Sequence, residues 1–168
     1  MVDDSRVIED LVAGALAIPE ASLVIHRRRT LVEFKTDLLR GALERYEEHG
    51  HVSWQVGDFH GHHCHLDLRA VRRVVFEAAP SGCQGGRTNF TVWFLDDGGA
   101  GNPNRPDGYF SVTLNSPYEE DGALRLDLVE QMIALYLAHD ATSVVDASPG
   151  FRDVVRSAYP GHAITPRS

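Results

Sequence analysis

Cysteine is scarce in this 168-residue chain: it holds two, Cys64 and Cys83. No disulfide scaffold can be built on so few, and in a reducing compartment both are expected as free thiols. Long apolar runs are also missing, and no stretch approaches the roughly 20 residues that a membrane helix needs. Membrane insertion is therefore not expected. Net positive charge is absent, because the formal net charge is −8. That excludes the basic face of a nucleic-acid binder, so no nucleic-acid partner is expected. The opening MVDDSRVIED is acidic and polar, unlike a secretory signal, and a cytoplasmic location is expected. No CxxC pair or HExxH helix signature occurs, and GCQGGR lacks the lysine and spacing of a phosphate loop. No Ser-His-Asp order or nucleophile elbow is found either. Internal repeats and low-complexity linkers are missing as well.

What is present is an ordinary globular composition, 43% hydrophobic and 24% charged. Its length suits one domain with one core. The expected division is a domain over residues 1–142, with residues 143–168 as a C-terminal extension packed on it or trailing from it.

Apolar spacing at Val7, Ile8, Leu11, Val12 and Leu16 predicts a helix, with Ser5 as its N-cap and Pro19 as its stop. ASLVIH and TLVEFK read as a hairpin with Arg27-Arg28-Arg29 at the tip. Leu38, Leu39, Ala42, Leu43 and Tyr46 make a helical stripe, which predicts a helix over 37–49 ended by Gly50. HVSWQV, HHCHLDLRAV, RRVVFEAA, TNFTVWFLDD and GYFSVTLNS then read as consecutive strands, rich in β-branched and aromatic residues. DDGGAGNPNRPDG is expected as a hairpin connection. LRLDLVEQMIALYLAHD predicts a helix with Leu124, Leu128, Met132, Leu135 and Ala138 on one face, and PGFRDVVRSAY a short one. Consecutive strands with short loops imply an α+β class, a curved and mostly antiparallel sheet flanked by helices.

The densest chemistry lies in HGHVSWQVGDFHGHHCHLDL, which carries six of the nine histidines: His49, His51, His60, His62, His63 and His65. Imidazole is the commonest protein ligand for transition metals and a frequent axial ligand of haem iron. Strand parity puts His62, Cys64, Leu66 and Leu68 on one face and His63, His65, Asp67 and Arg69 on the other. The cluster therefore does not converge by itself. A His-x-His pair supplies two ligands, and a closed site needs more from elsewhere. Trp54, Phe76, Phe90, Trp93 and Phe94 alternate along strands and are read as sheet packing. Cys83 sits in a glycine-rich loop.

Taken together, LVIHRRRTLVEF, HCHLDLRAVRRVVFEAAPSGCQGGRTNFTVWFLDDGG and YFSVTL resemble segments of the bacterial intracellular haem-utilisation carriers of the ChuX/HutX type. The resemblance spans roughly residues 22 to 140. The Phe-Met-Gly turn of that family is replaced by Pro80-Ser81-Gly82-Cys83, and Asn115-Ser116-Pro117 stands where its Gly-Arg-Asp follows the last strand. The resemblance implies a haem-binding protein, probed at two positions: His26 and His65 match the histidines associated with haem contact. It also implies a homodimer that stores or transfers haem. Arg27 and Arg29 are candidates for haem propionates, since guanidinium suits carboxylates. His65, His26 and His63 are the candidate metal ligands. The alternative is an enzyme acting on a small molecule, with haem or a divalent metal ion held near His60, His62, His63 and His65.

Overall fold

The computed structural model describes residues 4–27, 30–39, 43–96 and 108–162. Its first element is α1 (Asp4–Ala17), whose Val7, Ile8, Leu11, Val12 and Ala15 are buried. Ser5 lies inside this helix rather than capping it. The chain leaves the helix at Ile18-Pro19 and turns through Glu20, which adopts a positive φ of 53°. It then enters the hairpin β1 (Ala21–Arg27) and β2 (Thr30–Lys35), paired antiparallel from Ser22↔Lys35 to Arg27↔Thr30.

The helix expected over 37–49 does not form. Thr36–Leu38 makes one 3-10 turn, and Glu44–Glu48 is a strand, β3, paired with β4 (His51–Gly57). The stripe of apolar residues is real, but the HG dipeptide behind it decides the structure. His49 and Gly50 both take positive φ, 52° and 78°, the geometry of a two-residue hairpin turn whose twist matches the strands. Gly50 is thus a turn residue, not a helix stop.

After Gly57 the chain returns as β5 (His63–Leu66), then makes a 3-10 turn at Leu68–Ala70 that Asp67 caps by accepting from the Arg69 N–H. The strands β6 (Arg73–Pro80), β7 (Thr88–Leu95) and β8 (Gly108–Leu114) follow as an antiparallel meander. The expected connection at DDGGAGNPNRPDG falls mostly in 97–107, outside the described residues. Then come α2 (Leu126–Leu137), β9 (Val145–Ala147) and α3 (Pro149–Ala158). The buried face of α2 is Leu128, Val129, Met132, Ile133 and Tyr136, rotated from the stripe read in the sequence. Leu124 precedes the helix and bridges to Tyr118.

Two sheets result. The larger has the order β2-β1-β8-β7-β6-β9, and the smaller β3-β4-β5. Every described pairing is antiparallel except β6 with β9. The class is α+β, as expected from the run of strands. One face of the large sheet is the core. Leu23, Phe76, Phe90, Val92, Phe94, Phe110 and Val112 point into it and meet α1, α2 and α3. Phe94 and Phe110 stack at 4.4 Å, and Phe76 meets Tyr136 of α2 and Phe151 of α3.

The last segment is stitched to β6 through one serine. Ser148 Oγ accepts from the Phe151 N–H, capping α3, and also from the Ala78 N–H, while the Ser148 N–H donates to the Phe76 carbonyl. Pro149 occupies the first helical turn, where no N–H is needed. The small sheet is tied to α1 by the Trp54 indole, which donates to Glu9 at 2.9 Å. Among the described residues no helix is long and apolar enough to cross a membrane.

Candidate functional site: a cleft on the open face of the large sheet

The helices cover one face of the large sheet, and the other face holds a cleft of about 560 Å³. Strand alternation builds it. Residues that alternate with the core positions line its floor: Ser22, Val24 and His26 on β1, Ser111 and Thr113 on β8, Thr91 and Trp93 on β7, Glu77 and Ala79 on β6. Leu31 and Glu33 of edge strand β2 form one wall, and the turn carrying Ser81, Cys83 and Gln84 closes one end.

His26 is the most committed residue of this floor, only 7% exposed. Its ring lies 5.0 Å from the Trp93 ring, tilted by 34°. Its Nε2 is 3.1 Å from Ser111 Oγ. When Ser111 donates in that bond, the Nε2 lone pair accepts the hydroxyl proton and Nδ1 carries the N–H; when Nε2–H donates to Ser111 Oγ, the lone pair lies on Nδ1. Trp93 is itself anchored, since its indole N–H donates to Glu77 Oε2 at 2.8 Å. The register explains the grouping: Ser111 pairs with both Val24 and Trp93, so the three strands bring His26, Ser111 and Trp93 into neighbouring rows.

Burial holds the His26 imidazole below its ordinary pKa of 6.5, because the charged form loses hydration there. The ring is therefore neutral at neutral pH. The consequence for stability has a definite sign. Above about 6.5 the folded and unfolded chains both carry a neutral His26, and it contributes no pH dependence. Below it the unfolded chain takes up a proton first, so stability falls until the folded-state pKa is reached. In urea titrations between pH 7.5 and 5, His26→Phe is expected to show a shallower fall than the native chain. An equal slope in both would contradict the buried neutral state.

Away from His26 the floor is polar. Thr91 and Thr113 hydroxyls meet at 3.0 Å, and Ser22 donates to Asn115 at 2.8 Å. Asn89 Oδ1 is buried with no hydrogen-bond partner among the described residues. A buried orphan acceptor at the edge of a cleft is ordinarily satisfied by a ligand or a water.

The other residues singled out in the sequence lie elsewhere. His65 and His63 are exposed on β5 of the small sheet, and neither lines the cleft. Their parity is as read: Leu66 is buried and Cys64 half-buried on the opposite side. His60 and His62 are exposed in the turn before β5. Among the described residues no group of three or more His, Cys, Asp or Glu is arranged to hold a metal ion. Arg27 is the last residue of β1, paired with Thr30, while Arg28 and Arg29 lie outside the described residues. Cys83 lines the cleft and is exposed; Cys64 is half-buried, and burial pushes its thiol up to about 11.

Trp93 corrects the reading of the aromatics. Trp54, Phe76, Phe90 and Phe94 are buried in the core, but Trp93 points the other way into the cleft. The alternation in TNFTVWF already separates Phe90, Val92 and Phe94 from Thr91 and Trp93. Ser111, Glu77 and Asn89 carried no such signal, since only the strand order brings them to one place.

The two sheets and their helices define an α+β fold that is shared with known structures. Two structures of ChuX, a haem-binding protein, match it over 74% of this chain and 67% of theirs, with a TM-score of 0.50 and 11% identity. A protein from Erwinia carotovora matches over 80% of this chain and 72% of its own, with a TM-score of 0.56 and 15% identity. At these identities the likeness establishes the fold. No family model matches the chain, and no curated protein does.

The residues of the cleft fit a haem. A neutral buried imidazole is the usual proximal ligand of haem iron. Trp93, Val24 and Leu31 give a planar apolar group something to pack on, and the volume lies inside the roughly 300–1,000 Å³ of small-molecule sites.

Proposed function

We propose that this protein binds haem in the cleft through His26 and stores it or hands it on. The observation that carries the reading is the buried, neutral His26 imidazole held between Ser111 and the Trp93 ring. The shared fold with ChuX supports it. Haem, when bound, would supply an iron atom that a neutral His26 imidazole would hold. The chain's own residues do the rest. His26 offers the nitrogen, Ser111 and Trp93 set the ring's orientation, and Val24 and Leu31 shield the porphyrin from water. Arg27, the last residue of β1, is kept as the candidate for the propionates because a guanidinium suits carboxylates.

Haem is read as cargo, which the fold shared with the haem-binding protein ChuX supports. The protein acts in the cytoplasm, a reading that the free Cys64 and Cys83 support. It works as a homodimer. Supporting this is the outer edge of β2, which has no strand neighbour among the described residues, and beside it Leu31 and Val32 are 57% and 42% exposed.

A haemin titration of the metal-free chain, followed at the Soret band with light scattering on the same samples, tests this. Saturation at one haemin per chain with a shifted Soret band is expected, in a particle of dimer mass. A linear, unsaturable rise would reject haem binding, and monomer mass throughout would reject the dimer.

A further inference from the structure

The exposed face of the small sheet carries a second, independent constellation. His63 and His65 alternate onto the same face of β5, with ring centroids 5.6 Å apart and planes at 80°. Both rings are held. Phe59, 63% exposed, stacks on His63 at 6.1 Å with an 11° interplanar angle. Tyr46 of β3 meets His65 edge-on at 6.2 Å. Both rings are also engaged through the same nitrogen. His63 Nδ1–H donates to the Gly61 carbonyl oxygen at 3.3 Å, and His65 Nδ1 lies 3.4 Å from Ser53 Oγ.

A carbonyl can only accept, so neutral His63 must carry its proton on Nδ1 and its lone pair on Nε2. An oxygen partner on Nδ1 is the outer-shell arrangement that fixes metal-binding imidazoles and raises their basicity. The local backbone is built to keep it. Gly57 has a φ of 100° opposite His63, and a Cβ there would sit 2.2 Å from the His62 carbonyl oxygen.

We propose that His63 and His65 form a surface chelate for a late first-row divalent cation, bound through their two Nε2 atoms with water completing the coordination. Two imidazoles suit copper(II), nickel(II) and zinc(II), and copper(II) binds most tightly in the general order of affinities. The site is separate from the cleft and stands whether or not haem binds there. Two protein ligands make it an exchangeable site rather than a closed structural one.

The test is a copper(II) sulfate titration of the full chain, purified without a histidine tag, by calorimetry and electron paramagnetic resonance. One copper per chain is expected, with hyperfine structure from two nitrogens. His63→Gln and His65→Gln should each weaken binding at least tenfold, while His60→Gln and His62→Gln bind as the native chain does. Circular dichroism shows that each variant is folded. Unchanged copper binding in the His63→Gln/His65→Gln double variant would overturn the proposal. Loss of binding in His60→Gln or His62→Gln, or in His26→Ala, would overturn it too, by moving the ligands elsewhere.

Discussion

Replacing His26 with alanine is expected to weaken haemin binding by on the order of 100-fold, about 2.7 kcal/mol, while His65→Ala leaves the affinity within about threefold of native. The asymmetry follows from position. His26 is buried on the cleft floor and is neutral there, so one ring nitrogen carries a lone pair without first losing a proton. His65 stands on the exposed face of another sheet and does not line the cleft. Alanine at 26 also removes the ring that packs on Trp93 and the partner of Ser111, both on the cleft side of the sheet rather than in the apolar core. The fold should therefore survive, and the Soret titration reads ligation alone. Equal losses in the two variants would put the iron between the sheets and contradict the account. A full loss in His65→Ala alone would move the site to the small sheet.

The largest stability effect is expected at Phe76. Phe76→Ala should destabilise the chain by about 3–5 kcal/mol, the usual range for deleting a buried phenylalanine. The side chain is 0% exposed, and its ring meets Tyr136 at 5.3 Å and Phe151 at 5.4 Å. It is thus the point where β6, α2 and α3 meet. The backbone at the same residue receives the Ser148 N–H, so a cavity there also loosens the stitch that holds β9 and α3. Urea melts of the apo chain read the change. A loss under about 1 kcal/mol would mean that the C-terminal helix does not depend on this cluster. Phe59→Ala is the contrasting control, since surface changes usually stay within about 0.5 kcal/mol.

Most of the large sheet could be read from the chain because its strands are rich in β-branched and aromatic residues. TNFTVWF and GYFSVTLNS alternate Phe90, Val92, Phe94, Phe110 and Val112 onto the core side, whereas TLVEFK and RRVVFEAA carry apolar residues on both faces. The segment after Thr36 departs from its helical pattern for a physical reason. Leu38, Leu39, Leu43 and Tyr46 fit a helical period, whereas β3 is an exposed edge strand with no buried residue to show a period of two. The decisive signal was two residues long, the positive-φ pair His49-Gly50. His26 was legible only through the resemblance, because a lone histidine at a strand end looks bland. Its partners were hidden for a different reason. Trp93 and Ser111 are 67 and 85 residues away in sequence, and they meet His26 only because β8 inserts between β1 and β7. The dense histidine cluster contributes no residue to the cleft. The fold spreads it over a turn and one face of a small sheet, apart from the cleft.

The central claim is that iron in this protein would be held by His26. The most direct test is a crystal structure of the haemin complex. The account predicts a His26 imidazole nitrogen within coordination distance of the iron, with the porphyrin lying along Trp93 on the open face of the large sheet. Iron ligated by His65, or a porphyrin lying outside the cleft, would contradict it.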